Sequence, residues 1–277
     1  DPKQLLLDSR DFAWDNRWAS WWAVLSTFSI FVLLHTVMLV MPFLVVRIAL
    51  SVALGLVLVR LFVIYHDYQH DTILRKSSIA SALMTTWGLF SLSPPSVWRH
   101  THNYHHKHNT KLLGSAIGSF PMMTVEAYEK ATWRQRLEYR IHRHPLLFVF
   151  AYPAVFIFAF CIRPFLAKPR AHFDAGITAL LHAAMGVGLL LVLGIDGLLL
   201  HLIVPGVIAS SIGAYLFFAQ HNFPDAHVQP RDEWDYVTAA LRSSSYIAMN
   251  PVLQWCTANI GYHHVHHMNH HIPFYRL

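Results

Sequence analysis

Residues 44–70 read LVVRIALSVALGLVLVRLFVIYHDYQH. The first 22 of them, Leu44 to Tyr65, form an apolar run interrupted only by Arg47 and Arg60. A membrane-crossing helix needs about 20 such residues, and both arginines are read as snorkelling from near its ends. The run passes without a break into His66-Asp-Tyr-Gln-His70. A spanning helix that ends in two histidines four residues apart places both imidazoles on one helical face, where the helix leaves the bilayer.

Two further clusters share this character: His102-Asn-Tyr-His105-His106 and His263-His-Val-His266-His267. Thirteen of the 21 histidines fall in the windows 66–70, 100–108 and 263–271, which packing alone does not produce. Neutral imidazole is the commonest metal ligand among side chains. At i, i+3 and i+4 each cluster is expected to aim two or three imidazoles at one point. Eight histidines exceed one tetrahedral zinc. Two metals with four or five nitrogens each fit the count, and imidazole with an open coordination position favours iron. The Glu-x-x-His pattern of carboxylate-bridged di-iron bundles is absent from the sequence.

The composition agrees with a membrane protein. Of the 277 residues, 55% are hydrophobic and 13% charged, against about 25% charged in a soluble domain; mean hydropathy is +0.36. Cys161 and Cys256 stand far apart and imply neither disulfide framework nor thiolate site. The net charge of +6 reads as membrane topology rather than nucleic-acid binding, since Lys and Arg cluster beside the apolar spans. The chain opens on Asp1, which suggests a trimmed start, and shows no signal-peptide pattern before Trp18.

Four spans are expected, at 20–41, 44–65, 177–193 and 198–219, paired as two hairpins through Pro42 and Gly194-Ile-Asp-Gly197. Placing all the histidines on one side of the membrane fixes the parity. The apolar piece 145–162, with Pro145, Pro153 and Pro164 in or near it, then becomes an interfacial segment rather than a fifth span. Ten Lys or Arg residues lie between Arg75 and Arg143, so the positive-inside rule makes the histidine side cytoplasmic. The fold class is an all-α, multi-pass integral membrane protein. It is a single domain over 1–277, with a helical cytoplasmic cap built from 66–144 and 220–277. Ser77 to Phe90 reads as a short amphipathic helix, Pro94-Pro95 as a break, and Glu126 to Arg143 as one polar helix on the cap.

The order, spacing and membrane placement of the three boxes resemble the membrane-bound fatty acid desaturase family, in its acyl-lipid desaturase-like branch. Trp98-Arg-x-x-His102 resembles that branch's approach to its second box. Asn259-Ile-Gly-Tyr-His263 through His267, trailed by Ile272-Pro273-Phe-Tyr275, resembles its third, and Gln220-His221 a further family histidine at the end of the last span. The resemblance implies a di-iron centre held by His66, His70, His102, His105, His106, His221, His263, His266 and His267. His100, His108, His264, His270 and His271 fall outside the motif register. His35, His182 and His201 are read as packed within spans. Asp67, Asp71, Asn222 and Asp225 stand where they can orient ligating imidazoles, with a solvated role the alternative for each.

The resemblance also implies oxygen-dependent formation of a cis double bond in a fatty acyl chain lying in a tunnel past the metals. O2 is then the co-substrate, and electrons come from a separate ferredoxin or cytochrome b5-type donor docking near Arg75, Lys76, Lys107, Lys111 and Arg134. Lipid headgroup contact explains those cations equally well. Hydroxylation, acetylenic bond formation or oxidative decarboxylation on the same scaffold is the first alternative. A metal-binding or metal-transporting membrane protein is the second, although a transporter places its ligands at mid-membrane.

Overall fold

The computed structural model describes residues 2–111, 119–230 and 232–277; residues 112–118 of the expected cap lie outside them. Among the described residues every regular element is helical, and the only β-pairing is an isolated bridge between Lys111 and Gln229. A short helix α1 (Pro2–Asp8) precedes α2 (Arg17–Val40) and α3 (Leu44–Gln69). Both of the latter are long and apolar enough to cross a membrane, as is the 47-residue helical stretch Phe173–Ala219. At 1.5 Å per residue α2 and α3 run to about 36 and 39 Å.

Local chemistry sets the boundaries. The Asn16 side chain caps α2 by accepting from the Trp18 and Ala19 amides. Three residues, Met41 to Phe43, return the chain into α3, which packs against α2. Phe173–Ala219 has one residue off helical geometry, Gly194 at φ 69, a conformation that costs glycine little. There the chain doubles back. His182, before the bend, bonds the Tyr152 hydroxyl at 2.5 Å, and a Cβ on Gly206, after it, would lie 2.8 Å from the Tyr152 ring. Two residues 24 apart can meet at one ring only if the arms run antiparallel. The bend is sharper than the four-residue turn expected, because a single left-handed glycine suffices.

The two hairpins share their ends. At one end Arg47, near the start of α3, faces Asp196 at 3.7 Å beside the bend. At the other lie the C-terminus of α3, the N-terminus of α2 and the end of the Phe173–Ala219 stretch: Asp15 accepts from the Leu74 amide at 2.8 Å, and Gln220 donates to the Ile260 carbonyl at 2.9 Å.

Over this second end lie α4 (Ser78–Phe90) and α5 (Pro95–His108). Ser77 caps α4 through the Ala80 amide, and α5 begins at Pro95, where a missing N–H is harmless. Asp174 supplies the cap that α5 lacks in its own sequence: its carboxylate accepts from the Ser96 amide at 2.8 Å and from the Ser96 hydroxyl at 2.5 Å. The polar stretch expected as one helix is two, α6 (Val125–Lys130) and α7 (Trp133–His142). Thr132 and Gln135 form a capping box that restarts the helix. The apolar piece at 145–162 is helical, with π-type turns over Tyr152–Ile162.

Arg60 departs from expectation. Only 8% exposed, it does not reach the interface. Its guanidinium donates to Thr27 Oγ1 at 3.1 Å and to the Trp255 carbonyl at 2.5 Å, and lies 4.4 Å over the Trp255 ring. Sixteen residues into α3, it finds its acceptors on two neighbouring helices, α2 and Pro251–Cys256.

Candidate metal centre

The nine box and span-end histidines come together at the shared end of the two hairpins, and they form two groups. His66, His70, His102, His106 and His266 make one; His105, His221, His263 and His267 make the other. Within each group the nitrogens lie within 4.8 Å of one another.

Helix geometry explains the division. In a box H-x2-H-H, positions i and i+4 diverge by about 40° around the helix, whereas i+3 lies about 60° to the other side. His102 and His106 therefore join the first group and His105 the second. The third box divides in the opposite sense: His263 and His267 enter the second group and His266 the first. A box does not aim at one point, as its spacing first implies; it supplies a pair to one group and a single imidazole to its neighbour. The two groups touch where His106 stacks on His267, centroids 4.3 Å apart.

In the four-histidine group the Nε2 atoms form a closed ring: His105 to His221 at 3.0 Å, His221 to His263 at 2.9 Å, His263 to His267 at 3.0 Å and His267 to His105 at 3.2 Å. In the five-histidine group Nε2 of His106 lies 3.0 Å from that of His102 and 3.2 Å from that of His266. Nε2 of His70 is buried with no hydrogen-bond partner among the described residues.

The outward nitrogens set the tautomers. His221 Nδ1 faces the Ser243 carbonyl at 3.1 Å, so it carries the proton and donates. His66 Nδ1 likewise donates to the buried Asp67 carboxylate at 3.1 Å, whose other oxygen accepts from the Phe274 amide at 2.7 Å. His105 Nδ1 is 2.8 Å from the Ser119 hydroxyl. With the proton outside, Nε2 of His66 and His221 presents a bare lone pair inward.

Burial disfavours the charged form of eight of the nine rings. It holds His70, His102, His105, His106, His263, His266 and His267 well below the ordinary histidine range, and neighbouring imidazoles add to the effect. Burial brings His221 down to about 4, against the opposing pull of the Ser243 carbonyl.

This donor set fits metal ions. Inward lone pairs about 3 Å apart repel one another unless a cation lies between them. A flat square with the ring's 2.9–3.2 Å edges has its centre about 2 Å from each corner, the length of a metal–imidazole bond. Among the described residues, neither group includes a thiolate or a carboxylate.

Of the polar neighbours singled out in the sequence, Asp67 bonds a box imidazole. Asn222 accepts from Arg143 at 2.7 Å and donates to the Phe218 carbonyl, while Asp71 and Asp225 are exposed. His35 and His201, read as separately packed, pair Nδ1 to Nδ1 at 2.8 Å. Sequence reasoning missed Phe274 as the second partner of Asp67, since a backbone amide leaves no mark in a motif. It missed Asp174 as the cap of the second box for want of any local signal.

Beneath the five-histidine group lies an apolar cavity of about 540 Å³. Phe28, Phe31, Leu58, Phe62, Phe156 and Leu189 are among its walls. Phe62 meets Trp98 edge-on at 6.2 Å, and Trp98 lies 4.1 Å from His102, ring to ring, so one aromatic layer separates cavity from imidazoles.

The fatty acid desaturase family model matches residues 42–277. A relative described as a fatty acid desaturase, from Bacillus subtilis (strain 168), is 34% identical over 233 residues, covering 83% of this chain and 65% of the relative. Residues 42–277 contain all nine histidines and most of the cavity wall, and on that match the chain belongs to the fatty acid desaturase family.

Proposed function

We propose that this protein is an oxygen-dependent di-iron desaturase that introduces a cis double bond into a fatty acyl chain. The observation that carries the reading is the pair of all-imidazole groups beside an apolar cavity of acyl-chain dimensions. His66, His70, His102, His106 and His266 would hold one iron, and His105, His221, His263 and His267 the other. A bound iron pair would supply reductive activation of O2; two electrons from an external ferredoxin or cytochrome b5-type donor, two protons from solvent and two hydrogens from adjacent methylenes then balance as the olefin and two waters.

The chain's own residues do the rest. Buried neutral imidazoles keep their lone pairs inward, and Asp67 and the Ser243 carbonyl hold the protons of His66 and His221 outward. The cavity walls fix the acyl chain and exclude water, so that position rather than acid–base chemistry chooses the carbon pair.

The surrounding architecture is read as four crossings, near 20–41, 44–65, 177–193 and 198–219, within one domain over 1–277. The antiparallel arms about Gly194 support two of these. The Arg47–Asp196 pair lies at the end opposite the histidines, and the cationic stretch 75–143 on the histidine side supports a cytoplasmic site. Residues 145–162 lie along the interface in this reading.

Expression in a host with a saturated acyl pool, followed by fatty acid profiling, tests the proposal. An internal cis olefin absent from a His102→Ala control is expected. A hydroxy acid, an alkyne or a terminal alkene in its place overturns the desaturase assignment, as does metal uptake without acyl oxidation.

A further inference from the structure

Three side chains outside the nine form a line from the surface to the five-histidine group. His271 is exposed, and its ring lies 4.4 Å from that of His270. The His270 ring is 4.8 Å from His70 and 5.3 Å from His106. Asp71, also exposed, and the Arg75 guanidinium act on His271 in opposite senses, the arginine the more strongly. Outer imidazole, inner imidazole and resident ligands thus follow one another inward, with the Asp71 carboxylate near the outermost.

The line is held in place by its backbone. The Thr72 hydroxyl donates to the His270 carbonyl at 2.6 Å. Asn269 accepts from the His271 amide at 3.2 Å and donates to the Ser9 hydroxyl at 2.9 Å. Packing alone does not account for His270. Among the described residues its Nδ1 is buried without a hydrogen-bond partner, as is Nε2 of His70 beside it. Such an orphaned nitrogen costs about 1–3 kcal/mol, and a buried group that bears that cost calls for a purpose.

We propose that Asp71, His271 and His270 form the path by which a divalent metal ion reaches the five-histidine group. The inference rests on the metal-binding reading of that group. A hydrated divalent ion loses water reluctantly, and a chain of spaced donors lets it exchange one ligand at a time. The carboxylate and outer imidazole replace the first waters at the surface, and His270 passes the ion to His70 and His106. No electron or proton transfer is needed. A buried metal site requires such a route as much as it requires ligands, and imidazole suits ferrous iron throughout.

The test uses the purified, iron-loaded protein in detergent, challenged with a ferrous-iron chelator while iron release is followed by absorbance. By microscopic reversibility the path in is the path out. His270→Ala is expected to purify with the iron content of the wild type and to release it several-fold more slowly. His271→Ala and Asp71→Asn, at exposed positions, should slow release by a smaller factor. Release from His270→Ala at or above the wild-type rate overturns the path; a faster rate would make His270 a retaining group instead. If His270→Ala does not fold, unchanged release in both surface variants overturns it. A wild-type protein that binds no iron removes the metal-centre reading and the path together, whereas equal release from a loaded wild type and variant removes the path alone.

Discussion

Replacing Asp67 with asparagine changes one atom, and the structure dictates the consequence. The carboxylate offers two oxygens to two donors, His66 Nδ1 at 3.1 Å and the Phe274 amide at 2.7 Å. Asparagine offers one oxygen and one NH2. If the oxygen stays with Phe274, the amide nitrogen faces His66, and the imidazole must move its proton to Nε2 to accept from it. That tautomer has no lone pair to give a metal. If the oxygen stays with His66, the Phe274 amide is buried opposite another donor, at a cost of about 1–3 kcal/mol. The first outcome should weaken metal retention about 10–100-fold, or roughly 1.4–2.7 kcal/mol; the second should lower thermal stability by a similar energy. Metal analysis after graded chelator competition, with a melting curve on the same sample, reads both. An Asp67→Asn protein that keeps wild-type iron and wild-type melting would refute the tautomer argument.

His263→Ala should cost about one iron per chain, because it opens the four-nitrogen ring, whereas His264→Ala, outside both groups, should leave iron content intact; equal losses would dissolve the distinction. Gly213 lines the cavity, and a Cβ there meets nothing within 4 Å. Gly213→Leu should therefore leave iron unchanged, stabilise its helix by up to about 1 kcal/mol, and shift products toward shorter acyl chains in a profile by chain length. Acid should destabilise the metal-free fold in a defined window. His221 is neutral down to about 4 when folded, against 6.5 ordinarily, so the unfolded chain binds its proton first as pH falls. Stability from this group is complete above 6.5 and is lost between 6.5 and 4, at about 1.4 kcal/mol per pH unit. Metal-free protein whose melting temperature does not fall between pH 6.5 and 4 would contradict this.

Much of this architecture is legible in the sequence because its determinants are local. Twenty apolar residues, a Ser77 cap or Pro95 at a helix start, and histidines at i, i+3 and i+4 each need only a short window. What stays hidden depends on partners far along the chain. The two-group division needs the relative rotation of α3, α5 and the His263–Met268 helix. The partner of Asp67 is 207 residues away, and the cap of α5 is 78 away. Arg60 looked like an interfacial arginine because its distance to the helix end is in the sequence and its carbonyl acceptor is not.

That arginine also constrains how the protein is made. Its acceptor carbonyl belongs to Trp255, 195 residues later in synthesis. On the four-crossing reading, α3 enters the bilayer with a guanidinium partnered only by Thr27, a charge worth about 2.5–3.5 kcal/mol against insertion. The apolar run around it must outweigh that cost alone until the segment bearing Trp255 emerges and docks. The final seating of the second hydrophobic helix and the closure of the histidine-bearing cap are then one late event, and a chain arrested before Trp255 would hold that helix with its charge unanswered.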